Sequence, residues 1–293
     1  MASESASVLD RWRAYLASPP PAVVDARKRL LARAEQLVRD NTPTRAVPAN
    51  LDVVVAGSGF LSLYFLGVHS VLAAMERAGH TSLHRFAGAS SGAQTPFEIK
   101  LTGEEHTLDC YLANGLLQDE HPVSLVGAAI RADRHWRAFG EHIFATYGEH
   151  LSRCDGRCFM SVTFPFSRPF NVLYSDFSSD PKRAAEAFYA TGTLLTKCDG
   201  RWATDGGVSN NKPRFGDGAR PSLLVDPTRA GLPLSMAARY SLAQAVDAVE
   251  RGQEDAASLF LAPWTMPGGA ARRADGTVAE SVRRGVKALW IER

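Results

Sequence analysis

One serine stands at a predicted junction between a strand and a helix. The segment 88–92, GASSG, fits the pattern G-x-S-x-G, and it follows a short strand candidate at 83–87. In that context the pattern is typical of a nucleophile elbow, a sharp turn that exposes the middle serine at the edge of a sheet, beside the start of a helix. Ser90 is therefore a candidate nucleophile. A flexible Gly/Ser loop is the other interpretation, and the segment by itself leaves both open.

The candidate base for this serine is an aspartate. A serine nucleophile needs a base to take its proton, and in the α/β-hydrolase order that base is a histidine late in the chain. All eight histidines lie at or before residue 150, so a late-histidine triad is excluded. Asp205 begins the segment DGG, whose glycines allow another loop to come close. An ordinary Asx turn is the alternative for this segment.

A second glycine-rich loop, at Gly57, Ser58 and Gly59, precedes a helical pattern. Successive backbone N–H groups in such a loop, together with the positive end of the helix, are suited to hold an oxyanion. The loop also approximates the dinucleotide pattern G-x-G-x-x-G, with Ser62 in the last place. That interpretation needs an acid at the end of the second strand, and the sequence there is AGAS. The missing carboxylate disfavours a nicotinamide site.

The elements around these loops predict an α/β fold. A β-branched run at 52–56, a helical pattern and the strand at 83–87 form a βαβ unit, which implies a parallel sheet. A second helix near the N-terminus has the apolar face Val23, Ala26, Leu30, Ala34, Leu37 and Val38. We interpret it as a cap on the domain, with a basic amphipathic helix on anionic lipid as the alternative. Further segments predict strands at 158–165, 170–177 and 223–225, and helices at 181–190 and 278–290.

Taken together, the three loops resemble motifs of the patatin-like phospholipase family. GSGFLSLYFLGVHSVL is similar to its glycine-rich oxyanion loop, GASSG to its nucleophile elbow and DGGVSNN to its aspartate motif. The stretch 160–192 is similar to the corresponding stretch of the adipose triglyceride lipase and adiponutrin branch. The resemblance covers roughly residues 51–215, in the family's order. Three departures stand out: Ser62 in place of a glycine, Pro96 within the helix after Ser90, and a loop at 190–195 without the usual proline.

The resemblance implies a three-layer α/β/α sandwich with a mostly parallel central sheet, formed by residues 48–293 after a helical extension at 1–47. It implies a Ser90–Asp205 dyad that needs no histidine, with amides near Gly57, Ser58 and Gly59 as the oxyanion hole. The expected activity is hydrolysis of carboxylic esters of glycerolipids, either triacylglycerol or phospholipid, through an acyl-enzyme. A catalytically weak relative that binds lipid or a partner protein, and a transacylase, are the alternatives.

Composition narrows the classes of partner, cofactor and location that remain. The 293 residues carry 33 Lys and Arg against 31 Asp and Glu, a balance that argues against nucleic acid as a partner. We expect no cofactor and no metal, because Cys154 and Cys158 lack a second ligand pair for zinc. No stretch approaches the ~20 apolar residues that a membrane span requires, and the N-terminus lacks the basic start and unbroken apolar run of a signal peptide. We therefore expect a cytoplasmic protein, with peripheral contact to a membrane or lipid droplet left open.

Overall fold

The computed structural model describes residues 2–44, 47–122, 124–262 and 288–292. Over these residues the protein has a mixed α/β fold in which helices flank a central sheet. The helices are Ala2–Ala17 (α1), Pro21–Asp40 (α2), Leu63–Arg77 (α3), Ser91–Thr102 (α4), Glu104–Glu120 (α5), Leu125–Tyr147 (α6), Pro181–Thr191 (α7), Gly207–Asn210 (α8) and Leu242–Phe260 (α9). The strands are Thr42–Pro43 (β1), Asn50–Val55 (β2), Ser82–Ala89 (β3), Cys158–Thr163 (β4), Asn171–Tyr174 (β5), Thr196–Cys198 (β6), Arg201–Asp205 (β7), Ser222–Val225 (β8), Leu261–Ala262 (β9) and Leu289–Glu292 (β10).

The sheet is parallel in its centre and antiparallel at its edges. Strands β8, β2, β3 and β4 lie side by side in parallel, whereas β10 is antiparallel to β8. Beyond β4 the pairing is antiparallel to both β5 and β7, and β6 completes a hairpin with β7. The predicted βαβ unit is thus β2–α3–β3, and parallel pairing places the carboxyl ends of β2, β3 and β4 at one edge of the sheet.

Strands β3 and β7 share one side of β4, and this arrangement positions the site. Ala89, the last residue of β3, pairs with Ser161, and Asp205, the last residue of β7, pairs with the next residue, Val162. Strand β5 pairs with residues 160–163 along the opposite side of β4. Strand β7 therefore pairs with residues 162 and 163 on the same side as β3, directly after the end of β3. The residues that end the two strands are therefore neighbours, although more than a hundred positions separate them in the chain.

Alternate residues of the central strands face two different environments, as the pleat of a strand requires. Val53, Val55 and Leu223 belong to the large hydrophobic core beneath the helices. On the other face, Val54 and Leu224 belong to a small cluster, against which Phe159, Phe215 and Trp290 pack. Helix α3 packs against both α2 and α9, so that the main core extends well beyond the sheet.

The N-terminal helices belong to this same core. The predicted apolar face of α2 is buried along its whole length, from Val23 to Val38, and Trp12 of α1 is buried in the same hydrophobic cluster. The cap interpretation of α2 is therefore confirmed. The alternative, in which this face rests on lipid, is wrong because packing against α3, α5 and α9 already covers it.

Two sequence predictions differ from the structure. Leu289 and Trp290, predicted to end a helix, lie instead in β10, antiparallel to β8, and the rest of that predicted helix lies outside the described residues. The segment Gly59–Arg77 is long and apolar enough to cross a bilayer, contrary to the expectation from sequence. However, 83% of the apolar stretch within this segment is buried inside the protein. Helix α3 is therefore a core helix rather than a lipid-facing one.

Candidate functional site

Ser90 lies at the tight turn between β3 and α4 with a positive φ of 54°, a conformation rare for a residue other than glycine. Both flanking glycines are required by close backbone approach. A Cβ on Gly88 would lie 2.2 Å from the carbonyl oxygen of Gly92, and a Cβ on Gly92 would lie 2.4 Å from that of Val55. The G-x-S-x-G spacing therefore has a steric cause, which is the turn geometry of a nucleophile elbow.

A buried threonine holds the backbone of this strained turn. The Ser90 N–H donates to Thr191 Oγ1 over 3.0 Å, and the Thr191 hydroxyl donates in turn to the carbonyl oxygen of Ser161 over 2.6 Å. Thr191 has no exposed surface. It therefore links the nucleophile turn to β4 from the end of α7. Sequence reasoning missed this residue because its partners are distant in the chain.

Asp205 is the last residue of β7 and lies beside Ser90, because β3 and β7 pair with the same side of β4. Burial raises the pKa of its carboxyl above the ordinary 3.8, while a hydrogen bond from the Ser90 side chain and the Gly207 N–H, 2.7 Å from Oδ1, oppose that rise. The structure thus places the Ser90 side chain close enough to Asp205 to lower the pKa of its carboxyl. A carboxylate next to a serine hydroxyl can act as its general base.

The predicted oxyanion loop divides into amides that are already used and one that is free. The Gly57 N–H donates to Asn211 Oδ1 over 2.9 Å, and the Ser58 N–H donates to Ser91 Oγ over 3.2 Å. These two amides therefore fix the loop to its neighbours. In the described part of the chain, the Gly59 N–H has no acceptor.

A second free amide, which the sequence prediction did not include, belongs to Ser91. As the first residue of α4, Ser91 has no acceptor within the helix, and no other described residue supplies one. Gly59 and Ser91 both line the same groove as Ser90. The amide after the nucleophile is a usual oxyanion donor in elbow geometries. The free donors in this structure are thus Gly59 and Ser91 rather than the full set Gly57, Ser58 and Gly59.

An open groove of about 700 Å³ lies in front of Ser90. One wall comes from α6 with Trp136 and Arg134, and another from the loop after α7 with Leu194 and Leu195. Trp136 also stacks on Phe188 of α7, so it joins the hydrophobic core to the groove wall. The volume lies within the range of small-molecule and lipid sites.

Two of the three positions that depart from the patatin-like motifs, Pro96 and Ser62, lie in regular secondary structure. Helix α4 continues through Pro96, and Ser62 lies fully buried at the end of the turn that follows the oxyanion loop. Among the described residues, no group of three His, Cys, Asp or Glu side chains is placed to hold a metal, and all four cysteines are free and buried.

Comparison with known proteins gives no further guide to this site. No model of a known protein family matches the chain, and no curated protein matches it. The local geometry around Ser90 and the resemblance of the three motifs are therefore the evidence that bears on function.

Proposed function

We propose that this protein is a carboxylic ester hydrolase of the patatin-like type that acts on glycerolipids, with Ser90 as nucleophile and Asp205 as general base. The observation that carries the proposal is that Ser90, at a strained turn, lies beside the buried carboxyl of Asp205, in a groove lined by two amides that have no acceptor among the described residues. The finer fold, a three-layer sandwich of that family, is part of the same proposal.

The proposed reaction follows from these contacts. Asp205 takes the proton of the Ser90 hydroxyl as Oγ attacks the ester carbonyl carbon, and the resulting oxyanion accepts hydrogen bonds from the Gly59 and Ser91 amides. The C–O bond to the alcohol then breaks, and Asp205 returns the proton to the leaving oxygen. Water, activated by the same carboxylate, cleaves the acyl-enzyme and regenerates the serine.

The groove supports a lipid substrate. Most of its exposed surface is apolar, with Phe60, Trp136 and Leu194 in the walls, and it is open to solvent, which gives water a route to the acyl-enzyme. Arg134 and Arg137 stand on the α6 side of the groove, where an anionic group of a glycerolipid or of the released fatty acid would be favoured.

Covalent labelling by a fluorophosphonate, with the modified residue mapped, tests the proposal directly. We expect labelling at Ser90 in the wild type and none in Ser90→Ala or Asp205→Asn, with parallel loss of hydrolysis of a short-chain nitrophenyl ester. Ser235→Ala is the matched control, because that serine lies on the neighbouring turn Leu234–Ala237 and is not among the residues that line the groove.

Unchanged ester hydrolysis in Ser90→Ala would overturn the proposal. A folded wild type that is neither labelled nor active would favour a binding protein with the same fold. Product analysis with glycerol as acceptor separates hydrolysis from transacylation.

A further inference from the structure

Exposed apolar side chains concentrate around the groove. Of the eight large hydrophobic side chains exposed in the described residues, six lie on loops or short helical turns at the site edge of the sheet: Phe166, Phe170, Leu194, Leu195, Val208 and Leu234. We name these six the rim patch. Leu194 is 90% exposed, and Phe166, Leu234 and Val208 are each more than 70% exposed. Single exposed hydrophobic residues are normal, but a cluster of this size marks an interaction surface.

Local contacts bring the rim patch together around Ser90. Leu194 and Leu195 line the groove itself, and the Leu194 carbonyl accepts a hydrogen bond from Thr204, next to Asp205. Val208 lies in α8, directly after the Asp205 turn. The 164–170 loop is joined to α8 through Asn171, whose side chain donates to Ser209 Oγ over 3.0 Å.

The remaining member reaches the groove from the other side. Leu234 lies on the turn Leu234–Ala237, and Ala237 both lines the groove and packs against Gly59 of the oxyanion loop. Two of the four segments, 193–195 and 232–240, thus line the groove. The other two, 164–170 and α8, follow the ends of β4 and β7 and lie beside the Asp205 turn at the same edge of the sheet.

The charge of these loops indicates the occupant. Segments 164–170, 193–195, 207–211 and 232–240 contain two arginines, Arg168 and Arg239, and neither aspartate nor glutamate. Arg134 adds further positive charge at the groove wall, whereas Arg137 lies one helical turn before Glu141, and both Arg137 and Glu141 act on Tyr189 of the wall. Exposed Phe and Leu side chains beside cationic ones match an anionic lipid surface, in which the apolar groups enter the acyl region and the arginines face the headgroups.

We propose that the rim patch docks the protein onto an anionic lipid bilayer, with the mouth of the Ser90 groove facing the membrane. The idea that docking delivers lipid to Ser90 rests on the proposed function. Docking itself can be measured without ester hydrolysis. It also assigns membrane contact to loops rather than to α2, whose apolar face is buried.

The test is sedimentation with vesicles of phosphatidylcholine containing about one-fifth phosphatidylserine, compared with phosphatidylcholine alone. Ser90→Ala protein is used for binding, so that catalysis does not alter the lipid. We expect binding to the anionic vesicles that weakens with added salt. In the same background, Phe166→Ser with Leu234→Ser should raise the lipid concentration for half-maximal binding by at least about tenfold, since each side chain loses its burial in lipid.

Leu173→Ser is the matched control. Leu173 is also exposed, but it lies in β5, opposite Ser161 of β4. Its side chain is on the sheet face that carries Phe159. Its variant should bind vesicles as the parent does. Thermal melting of all variants confirms that they fold.

The outcomes separate the two proposals. Absence of vesicle binding, binding that ignores the Phe166 and Leu234 substitutions, or an equal loss in the Leu173 variant would overturn the docking surface, and would leave a protein partner as the occupant to be sought. Vesicle binding that depends on the rim patch, in a wild type that hydrolyses no ester, would support docking while refuting the hydrolase.

Discussion

Asp205 is subject to two opposing influences, and their balance sets a pH dependence. Burial raises the pKa of its carboxyl above 3.8, and the hydrogen bonds from Ser90 and Gly207 lower it by a smaller amount. A general base must be deprotonated, so kcat/KM for a soluble ester should fall as the pH drops through the raised pKa. We expect the half-maximal point above pH 3.8, measured together with circular dichroism to exclude acid unfolding. A half-maximal point at or below 3.8 in folded protein would contradict this role.

Thr191 offers a second test at single-residue resolution. Its hydroxyl accepts the Ser90 N–H, so Thr191→Val leaves a buried donor without a partner and loosens the strained turn. A loss of about 1–3 kcal/mol of transition-state stabilisation corresponds to a fall in kcat of roughly 5- to 150-fold. Thr191→Ser retains the hydroxyl and should recover most of the activity. Full activity in the valine variant would show that the turn keeps its geometry without this bond.

The site could be predicted from sequence only as far as its local motifs reach. The G-x-S-x-G spacing reflects one close approach within the turn, at Gly88, and one to β2, at Gly92, so a short local pattern is enough to single out Ser90 as a candidate. The roles of Thr191 and Asn211 depend on contacts across more than a hundred residues, which no local pattern encodes. Local patterns also could not predict which amides of the predicted oxyanion loop are free. The Gly57 and Ser58 N–H groups donate hydrogen bonds to side chains from other segments, Asn211 and Ser91.

Helices and strands were predicted best where the burial pattern of the whole element is written in its own sequence. The apolar periodicity of α2 and the β-branched run of β2 match their observed burial. Strand β7 has the mixed sequence RWATD, which predicts only a turn around Asp205, because its pairing with β4 is a tertiary effect. At the C-terminus, residues at helical spacing form β10 because the edge of β8 offers unpaired backbone groups.

Helix α4 contains a testable weak point, Glu98. This side chain is fully buried, and neither carboxyl oxygen has a hydrogen-bond partner among the described residues. Burial raises its pKa well above 4.5. The protonated form therefore dominates in the folded protein at pH values where the unfolded chain is already ionised. Folding stability should decrease as the pH rises from about 4.5 towards the folded-state pKa.

Replacing Glu98 by methionine should accordingly stabilise the protein, because it removes an unpaired polar group without leaving a cavity. The expected gain is about 1–3 kcal/mol in the free energy of unfolding, and it should increase between pH 4.5 and neutrality. Glu98→Gln is the control, since it keeps the shape and polarity but cannot ionise, and should remove only the pH-dependent part. Urea titrations at several pH values measure both effects. A methionine variant less stable than the wild type at neutral pH would show that Glu98 has a stabilising partner.

At the scale of the whole molecule, the N-terminal helices are structurally continuous with the rest of the chain. The sequence boundary at residue 47 reflects a change of pattern from helix to strand. Yet Leu30 of α2 and Trp12 of α1 belong to the same hydrophobic cluster as the central strands. The Trp12 indole donates to the His135 carbonyl of α6 over 3.1 Å, and Arg33 forms an ion pair with Glu254 of α9 at 2.7 Å. A shared core of this kind favours cooperative unfolding.

We therefore expect residues 2–40 and the sheet to unfold in one transition. Leu30→Ala should cost about 2–5 kcal/mol, because Leu30 is 1% exposed and truncation leaves a cavity between α2 and the helices that pack on it. The change should shift the urea midpoint equally when it is followed by far-ultraviolet circular dichroism and by tryptophan fluorescence. Leu31→Ala, on the partly buried side of the same helix, is the matched control and should cost less. An early fluorescence transition, with the secondary structure of the remainder unaffected, would instead make the N-terminal helices an independent unit, and the rim patch and groove would then need to be tested in a chain that lacks them.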